Sequence, residues 1–570
     1  MKTSGSRELG RFAGEPNTLE YHVERRSPPI AIMAHLMRFP CLGVLAAANL
    51  VFLANAQIPP AVDPGSVVNA ASRMPSSLPG GALARGARFS LSGVRLGPER
   101  EVRGSESDPP ATLDGVSVHI AQGQKDVLAG ILFASAGRLE GLIPPAAPLG
   151  PVRLTVIYNG LASEPYPVTL VDASFGFFTA DTAPEELPEA RLPLAATPGE
   201  TIALWGAGLG DARLEVFLAG KPVAVRSAGD EACCKGVDRI EFQIPANAPL
   251  GCFVPIQARA GGRPSNVIGI SIHPSGQPCR DQFEWLEKGV QHATTAGFVL
   301  LARVSVVPDR ARKARSYDFD YAAAAFGNQN GRRLFAPLPP IGSCRVHSGR
   351  ISIRHLLSDV VDPSGWAGRR ASVPQNRLDA GPEISLSGHS VVKVLRPEGR
   401  QRSAYSGVVG GEIPWTQFPK TPLLFAPGEY LVRSSGGKDI GPFDVSVQAQ
   451  RMIEWTNRAR LSQVQRSAGV TLEWKEARRD DAVLIAAASS DEVSGDSSMC
   501  ICLAWAKDRR FTISPLALGN LPPSVEDNLE PSLLLVSELP LEPPASIQAR
   551  GLDAAFATFL SINARLVRFQ

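Results

Sequence analysis

Methionine, histidine and aromatic residues are scarce in this 570-residue chain: 6 Met, 8 His and 6% Phe, Trp and Tyr. Zinc needs three or four convergent ligands. The histidines beyond residue 56 (His119, His273, His292, His347, His355 and His389) are scattered, and no HExxH or CxxC frame accompanies them. No metal site or cofactor is therefore expected. Gly-x-Ser-x-Gly, GxGxxG and phosphate-loop sequences are absent as well, so neither a hydrolase elbow nor a nucleotide site is indicated. Calcium loops of the DxDxDG type are missing; Asp491-Glu492 and Asp496 come nearest, with Gly495 misplaced. Basic blocks are missing too. Formal net charge is +3, and removing residues 1–56 takes away six basic and four acidic residues, leaving 52 against 51. A nearly neutral chain has no electrostatic footprint for nucleic acid.

Glycine and proline are plentiful, at 53 and 49, and hydrophobic residues make up 44%. This is the composition of an ordered protein built from short strands and many turns. The length calls for several domains, because one core rarely grows past about 250 to 300 residues. Arg38 is followed by FPCLGVLAAANLVFLANA, an apolar run with small residues before Gln57. It reads as an export signal cut after Ala56, with the polar residues before Met33 a spurious upstream extension. No later stretch approaches 18 apolar residues, so no membrane span is expected after signal cleavage. The expected destination is outside the cell or on its surface.

Two stretches repeat. IPPAAPLGPVRLTVIYNG begins at Ile143 and IPANAPLGCFVPIQARAG at Ile244. Each is preceded by a second shared stretch, Gly86 to Gly93 with Leu96-Gly97, and Gly199 to Gly206 with Leu209-Gly210. Apolar Phe89 and Leu91 alternate with polar neighbours, and Ile202 and Leu204 occupy the matching places, so Leu91 and Leu204 are expected in two equivalent cores. Residues 98–112 form a polar loop that only the first unit has, and Pro109-Pro110 bars a central strand there. These motifs resemble the IPT/TIG immunoglobulin-like family over about residues 78–273. The resemblance implies β-sandwiches, and related modules serve in receptors, surface proteins and polysaccharide enzymes. With the opening Val68-Asn69-Ala70-Ala71-Ser72, the paired units also resemble large secreted proteins of acidobacterial type.

The expected fold is all-β: tandem immunoglobulin-like sandwiches followed by two further β-rich domains. The division runs 1–56 upstream extension and signal peptide, 57–77 extended lead-in, 78–174 first sandwich, 175–275 second, 276–450 a β domain with a short helical decoration, and 451–570 a C-terminal sandwich-like domain. Within 283–293 a short helix is expected, then a buried strand over 298–307 and an aromatic-acidic alternation over 317–321. Short strands around 378–381, 384–386, 391–395 and 430–432 follow. The last domain takes strands from 470–474, 482–488, 499–506, 511–513 and 532–536, and its end is tied into a sheet.

Few residues invite chemistry. Asp318, Asp320 and Asp362 are the most enzyme-like carboxylates; Asp318 and Asp320 share a strand face at a spacing that a glycosidase pair would tolerate. A solvated strand face is the preferred reading, and no catalytic residue is assigned. His347 and His355 straddle an expected hairpin and are read as solvent-facing. Ser387-Gly388-His389 is read as a turn rather than part of a triad. Trp205 fits either sugar stacking or packing at a domain boundary against Phe175, Phe177 or Phe178, and the second is preferred. Cys233, Cys234, Cys252 and Cys279 cluster in the second unit and are expected to form two disulfides. Adjacent Cys233 and Cys234 point apart, so one should reach Cys252 and the other Cys279. Of Cys344, Cys500 and Cys502, one of the last two is expected to pair with Cys344, and metal ligation ranks below core packing. The function indicated is a secreted non-catalytic structural or adhesion protein of the cell envelope, with an envelope protein or glycan as partner. The alternative is a carbohydrate-binding or polysaccharide-processing accessory protein with its site in residues 283–450.

Overall fold

In the computed structural model the described residues are 58–185, 187, 195–280, 282–283, 293–308, 315–328, 338–349, 378–389, 391–397, 404–413, 419–491, 493–524 and 532–570. The signal-like segment, the expected helix beyond Phe283, His292, His355 and Asp362 lie outside them.

Alternation of apolar and polar residues makes the first two-sheet unit. Phe89 and Leu91 of strand Arg88–Val94 are 0% and 1% exposed. They meet Val118, Leu139, Leu154 and Val156 in one core. Arg88–Val94 pairs with Arg138–Leu142, and Val116–Gln122 pairs with Gly150–Tyr158 in the facing sheet. The second unit repeats the plan. Thr201–Ala207 pairs with Asp238–Gln243, and Leu214–Leu218 with Gly251–Ala260. Leu204 is 2% exposed in its core. Even the short parallel pairings match, Leu83–Ala84 with Tyr166–Val171 and Ala195–Ala196 with Ile268–Ile272. The glycines that open the two shared stretches have one cause: Gly86 and Gly199 sit at φ +73 and +91 in open space. A side chain would meet no neighbour there, so the left-handed backbone alone selects glycine.

The lead-in is a clasp rather than a tether. Ala61–Val62 and Val68–Asn69 both pair with Arg88–Val94, and Val67, Ala71, Met74 and Leu78 are buried. Asn69 is 1% exposed and donates to Ser174 O at 3.3 Å and Ala207 O at 3.0 Å, while its Oδ1 accepts from Ala71 N. One buried amide thus ties the first unit to the second, because each backbone carbonyl removed from water there needs a donor. The 98–112 loop contributes an edge strand, Val102–Arg103, against Gly130–Ala134, consistent with its prolines.

The distal residues build a nine-stranded sheet. Thr295–Val307 lies parallel to Ala554–Leu566 from Ala296 opposite Ala554 to Val307 opposite Arg565, and antiparallel to Tyr317–Asn328. The sheet therefore runs across the expected division at 450/451. A four-stranded sheet (Ile384–Gly388, Val391–Leu395, Gly428–Ser434, Phe443–Ala449) covers part of one face, and a three-stranded sheet (Glu454–Trp455, Val470–Lys475, Arg510–Ile513) covers another part. Between the two cores Ser561, Asn563 and Arg565 are buried on alternate positions of Ala554–Leu566. The chain passing from one cover to the other bonds to Ser561 and Asn563 of this seam. Asn563 Nδ2 donates to Ile453 O at 2.8 Å, and Arg458 donates to Ser305 and Asn563. The expected strand at 378–381 is instead a loop held by Tyr405 Oη donating to Gly381 O and Ser434 Oγ to Ala380 O. The chain end is tied in, with Arg568–Phe569 parallel to Gln463–Val464. No helix among the described residues is long and apolar enough to cross a membrane.

Candidate functional site

Alternation places Asp318 and Asp320 on one face of Tyr317–Asn328, but the surroundings separate them. Asp318 is exposed. Asp320 is fully buried, paired bidentately with Arg303, and accepts the backbone N–H groups of Leu424 and Phe425. Arg303 also donates to Phe425 O. A carboxylate sealed beneath a loop and engaged on both oxygens has no free face for a sugar, so the pair does not form the flanking geometry of a glycosidase.

The serine and histidine near residue 388 are not brought together for catalysis. His389 sits at φ +47 in the turn between Ile384–Gly388 and Val391–Leu395, with its ring 5.4 Å from that of Tyr430. Ser387 Oγ donates to Leu431 O at 3.4 Å instead. Among the described residues, the strand of His347, Cys344–Gly349, pairs with Ser497–Trp505, far along the chain. Burial, reinforced by Arg345, pulls its imidazole down to about 3, so it is neutral throughout the physiological range. His119 meets Asp126 at 2.9 Å across an exposed hairpin. Trp205 is half-buried beside Phe178, Ala71 and Cys234, and its indole N–H donates to Glu231 at 3.0 Å. Phe175 and Phe177 belong to the neighbouring core of the second unit.

The cysteines pair differently from the expectation. Cys233 bonds Cys234, and Cys252 bonds Cys279. The argument that neighbouring side chains diverge holds within a strand, whereas these two occupy the turn between Val225–Asp230 and Asp238–Gln243. Cys344 bonds Cys502, directly opposite on the adjacent strand, and Cys500 stays a buried thiol. Burial pushes that thiol up to about 12. The three sulfurs lie within 4.8 Å of one another. Thiolates, not disulfides, ligate soft metals, so the bonded cluster offers one protonated thiol and does not fit an ion.

Carboxylates that residue patterns did not single out carry the clearest electrostatic perturbation. Glu538 is pushed up to about 7 by burial, against the pull of the Arg478 backbone N–H and with nearby Asp481 adding to the rise. Asp238 is pushed up to about 6 chiefly by burial, with Asp230 adding to it, although Leu209 N donates to it at 2.9 Å. A carboxyl whose folded value lies above its unfolded 3.8 holds its proton longer when folded. Its stabilising effect is thus complete below about pH 4 and is lost as pH rises through 6. We expect the stability difference between the parent chain and Asp238→Asn to shift by about 2 kcal/mol between pH 4 and 7, in favour of the variant at the higher pH. Urea unfolding of both proteins at the two pH values checks it; parallel pH profiles would refute it.

One open groove, about 540 Å³, lies on the outer face of the four-stranded sheet. Its floor is the cross-strand row Ser385, Arg433 and Asp444, rimmed by Glu383 and Ser435. Phe443 in its wall is only 5% exposed, so the groove presents charge and hydroxyls rather than a ring to stack on.

The chain is built from β-sheets, with two successive two-sheet sandwiches ahead of the nine-stranded sheet. No family model matches the chain, and no curated protein matches it. Among solved structures, it is similar to the plexin A4 extracellular region at 8% identity, covering 39% of this chain and 19% of that one, with TM-score 0.16. Titin domains A168–A170 are similar at 9% identity, covering 66% and 92%, TM-score 0.14. SGBP-B from a xyloglucan utilization locus of Bacteroides uniformis is similar at 10% identity, covering 61% and 86%, TM-score 0.15. The chain spans about a fifth of plexin A4. Likeness at these TM-scores carries no argument, and function has to be argued from the chain's own residues.

Proposed function

We propose that this is a secreted, non-catalytic modular protein of the cell envelope, in which two IPT/TIG-type units at 78–174 and 175–275 space and present the distal sheets to an envelope protein or glycan. The observation that carries the reading is the state of Asp320: this member of the most enzyme-like set of carboxylates is engaged by Arg303 and two backbone N–H groups. Three disulfides fit an oxidising compartment. The buried bond from Gln257 to Asn520 at 2.9 Å, like Asn69 at the first boundary, favours fixed spacing over a flexible string.

A second reading has one supporting observation. The groove over Ser385, Arg433 and Asp444 lies within 283–450 and suits a polar, hydroxyl-rich ligand. Screening the full chain against envelope polysaccharides, with ester and glycoside substrates in parallel, tests both readings. The expected result is no turnover, with any glycan retention weakened at least about tenfold in Arg433→Ala. Turnover that disappears in Asp318→Asn while the protein stays folded would overturn the non-catalytic assignment.

A further inference from the structure

The turn carrying Cys233 and Cys234 is also one of the points at which the second unit grips the first. Lys235 N donates to Glu106 O at 2.9 Å, and Arg88 Nε donates to Lys235 O at 2.7 Å. The Arg88 guanidinium pairs with the Glu106 carboxylate, closing a ring of contacts between the insertion of the first unit and the turn of the second. Gly236 sits so close that a Cβ there would meet Leu142 and Gly86 O. Cys234 is 1% exposed, packed with Ala71, Phe178 and Val237, whereas Cys233 faces solvent. Of the six bonded cysteines among the described residues, Cys233 alone is exposed; Cys252, Cys279 and Cys344 are half-buried and Cys502 is buried.

We propose that the Cys233–Cys234 bond is a thiol–disulfide exchange site for an external dithiol, and that its reduction releases the turn from the first unit. Access decides which sulfur is attacked. A thiolate of the dithiol bonds to Cys233 Sγ, the Cys233–Cys234 bond breaks, and Cys234 leaves as a thiolate that takes up a proton. The second thiolate of the reagent then attacks its own sulfur in the mixed disulfide. The reagent departs as a cyclic disulfide and Cys233 is freed as a thiol. Two electrons and two protons pass to the protein, and the dithiol is oxidised.

Position in the chain confines the consequence to this boundary. A bond between neighbours encloses a single peptide unit and removes little freedom from the unfolded chain, whereas Cys252–Cys279 and Cys344–Cys502 close loops of 27 and 158 residues. Opening the small ring leaves the core of the second unit intact. It frees the backbone next to Lys235, whose N–H and carbonyl both reach across the boundary. The local opening equilibrium there shifts while the flanking sheets keep their protection.

The test is graded reduction of the oxidised full chain with dithiothreitol under native conditions, followed by acid quench, alkylation and peptide mapping, with amide exchange recorded on the same samples. Cys233 and Cys234 should be labelled at least about tenfold faster than Cys252, Cys279, Cys344 and Cys502. Exchange at residues 105–108 and 231–237 should rise about tenfold, with the strand Thr201–Ala207 unchanged. Cys233→Ser/Cys234→Ser should show the raised exchange without reductant. Equal labelling rates at all three bonds would overturn the exchange site. Selective reduction with unchanged exchange at 105–108 would overturn the release, and since that measurement is on the parent chain it stands even if the variant fails to fold.

Discussion

Replacing Cys344 and Cys502 together by alanine should cost the distal sheets about 5 kcal/mol, the loop-entropy value for a closed segment of 158 residues. That segment contains the four-stranded cover, the crossing chain at 453–458 and the three-stranded cover up to Lys475. The bond fastens Cys344–Gly349, an edge strand, to Ser497–Trp505. Without it the edge is held by ladder hydrogen bonds and by Val346 in the core. Alanine is the informative replacement because serine would bury a hydroxyl at Cys502, which is 0% exposed. The double variant also leaves Cys500 no sulfur within its cluster to bond. Urea unfolding, with amide exchange of 344–349 and 497–505 as the local probe, measures the loss. A change below about 1 kcal/mol would mean that the unfolded chain is already confined in this region.

Residue patterns revealed what is local. The tandem units were legible because each strand meets partners within one repeat and because Gly86 and Gly199 mark the same left-handed backbone twice. The parallel pairing of Thr295–Val307 with Ala554–Leu566 was not legible: 298–307 reads as a buried strand and the chain end as tied into a sheet, and nothing in either names a partner about 260 residues away. Asn69 was visible as part of the opening Val68 to Ser72, but its donation to Ser174 O and Ala207 O depends on how two units meet. The same limit applied to the cysteines. Their clustering was evident, whereas the pairing turned on whether Cys233 and Cys234 lie in a strand or a turn.

Asp320 shows why spacing alone misjudged a site, and its replacement gives the sharpest contrast between neighbours. Asp318 and Asp320 have the same face and the same chemistry, yet only Asp320 is covered by residues 424–425. In Asp320→Asn the side chain keeps its shape but loses its charge. Arg303 then remains beside a neutral amide with Phe425 O as its other acceptor. The two N–H groups of Leu424 and Phe425 that shared Oδ2 compete for a single amide oxygen, or one faces the amide NH2, donor against donor. Breaking a buried ion pair from one side costs about 3 to 5 kcal/mol, because the surviving charge stays desolvated. Asp318→Asn, on the exposed end of the same face, should change stability by less than about 0.5 kcal/mol. Arg303→Leu/Asp320→Leu should cost less than the sum of its single changes, since no lone charge is left, but more than nothing, since Leu424 N and Phe425 N lose their acceptor. Equilibrium unfolding of Asp320→Asn, Asp318→Asn, the double variant and its two single variants measures all three statements. An Asp320→Asn protein within about 1 kcal/mol of the parent would show that the pair is hydrated and open, and would return Asp320 to the residues from which a reaction could be built.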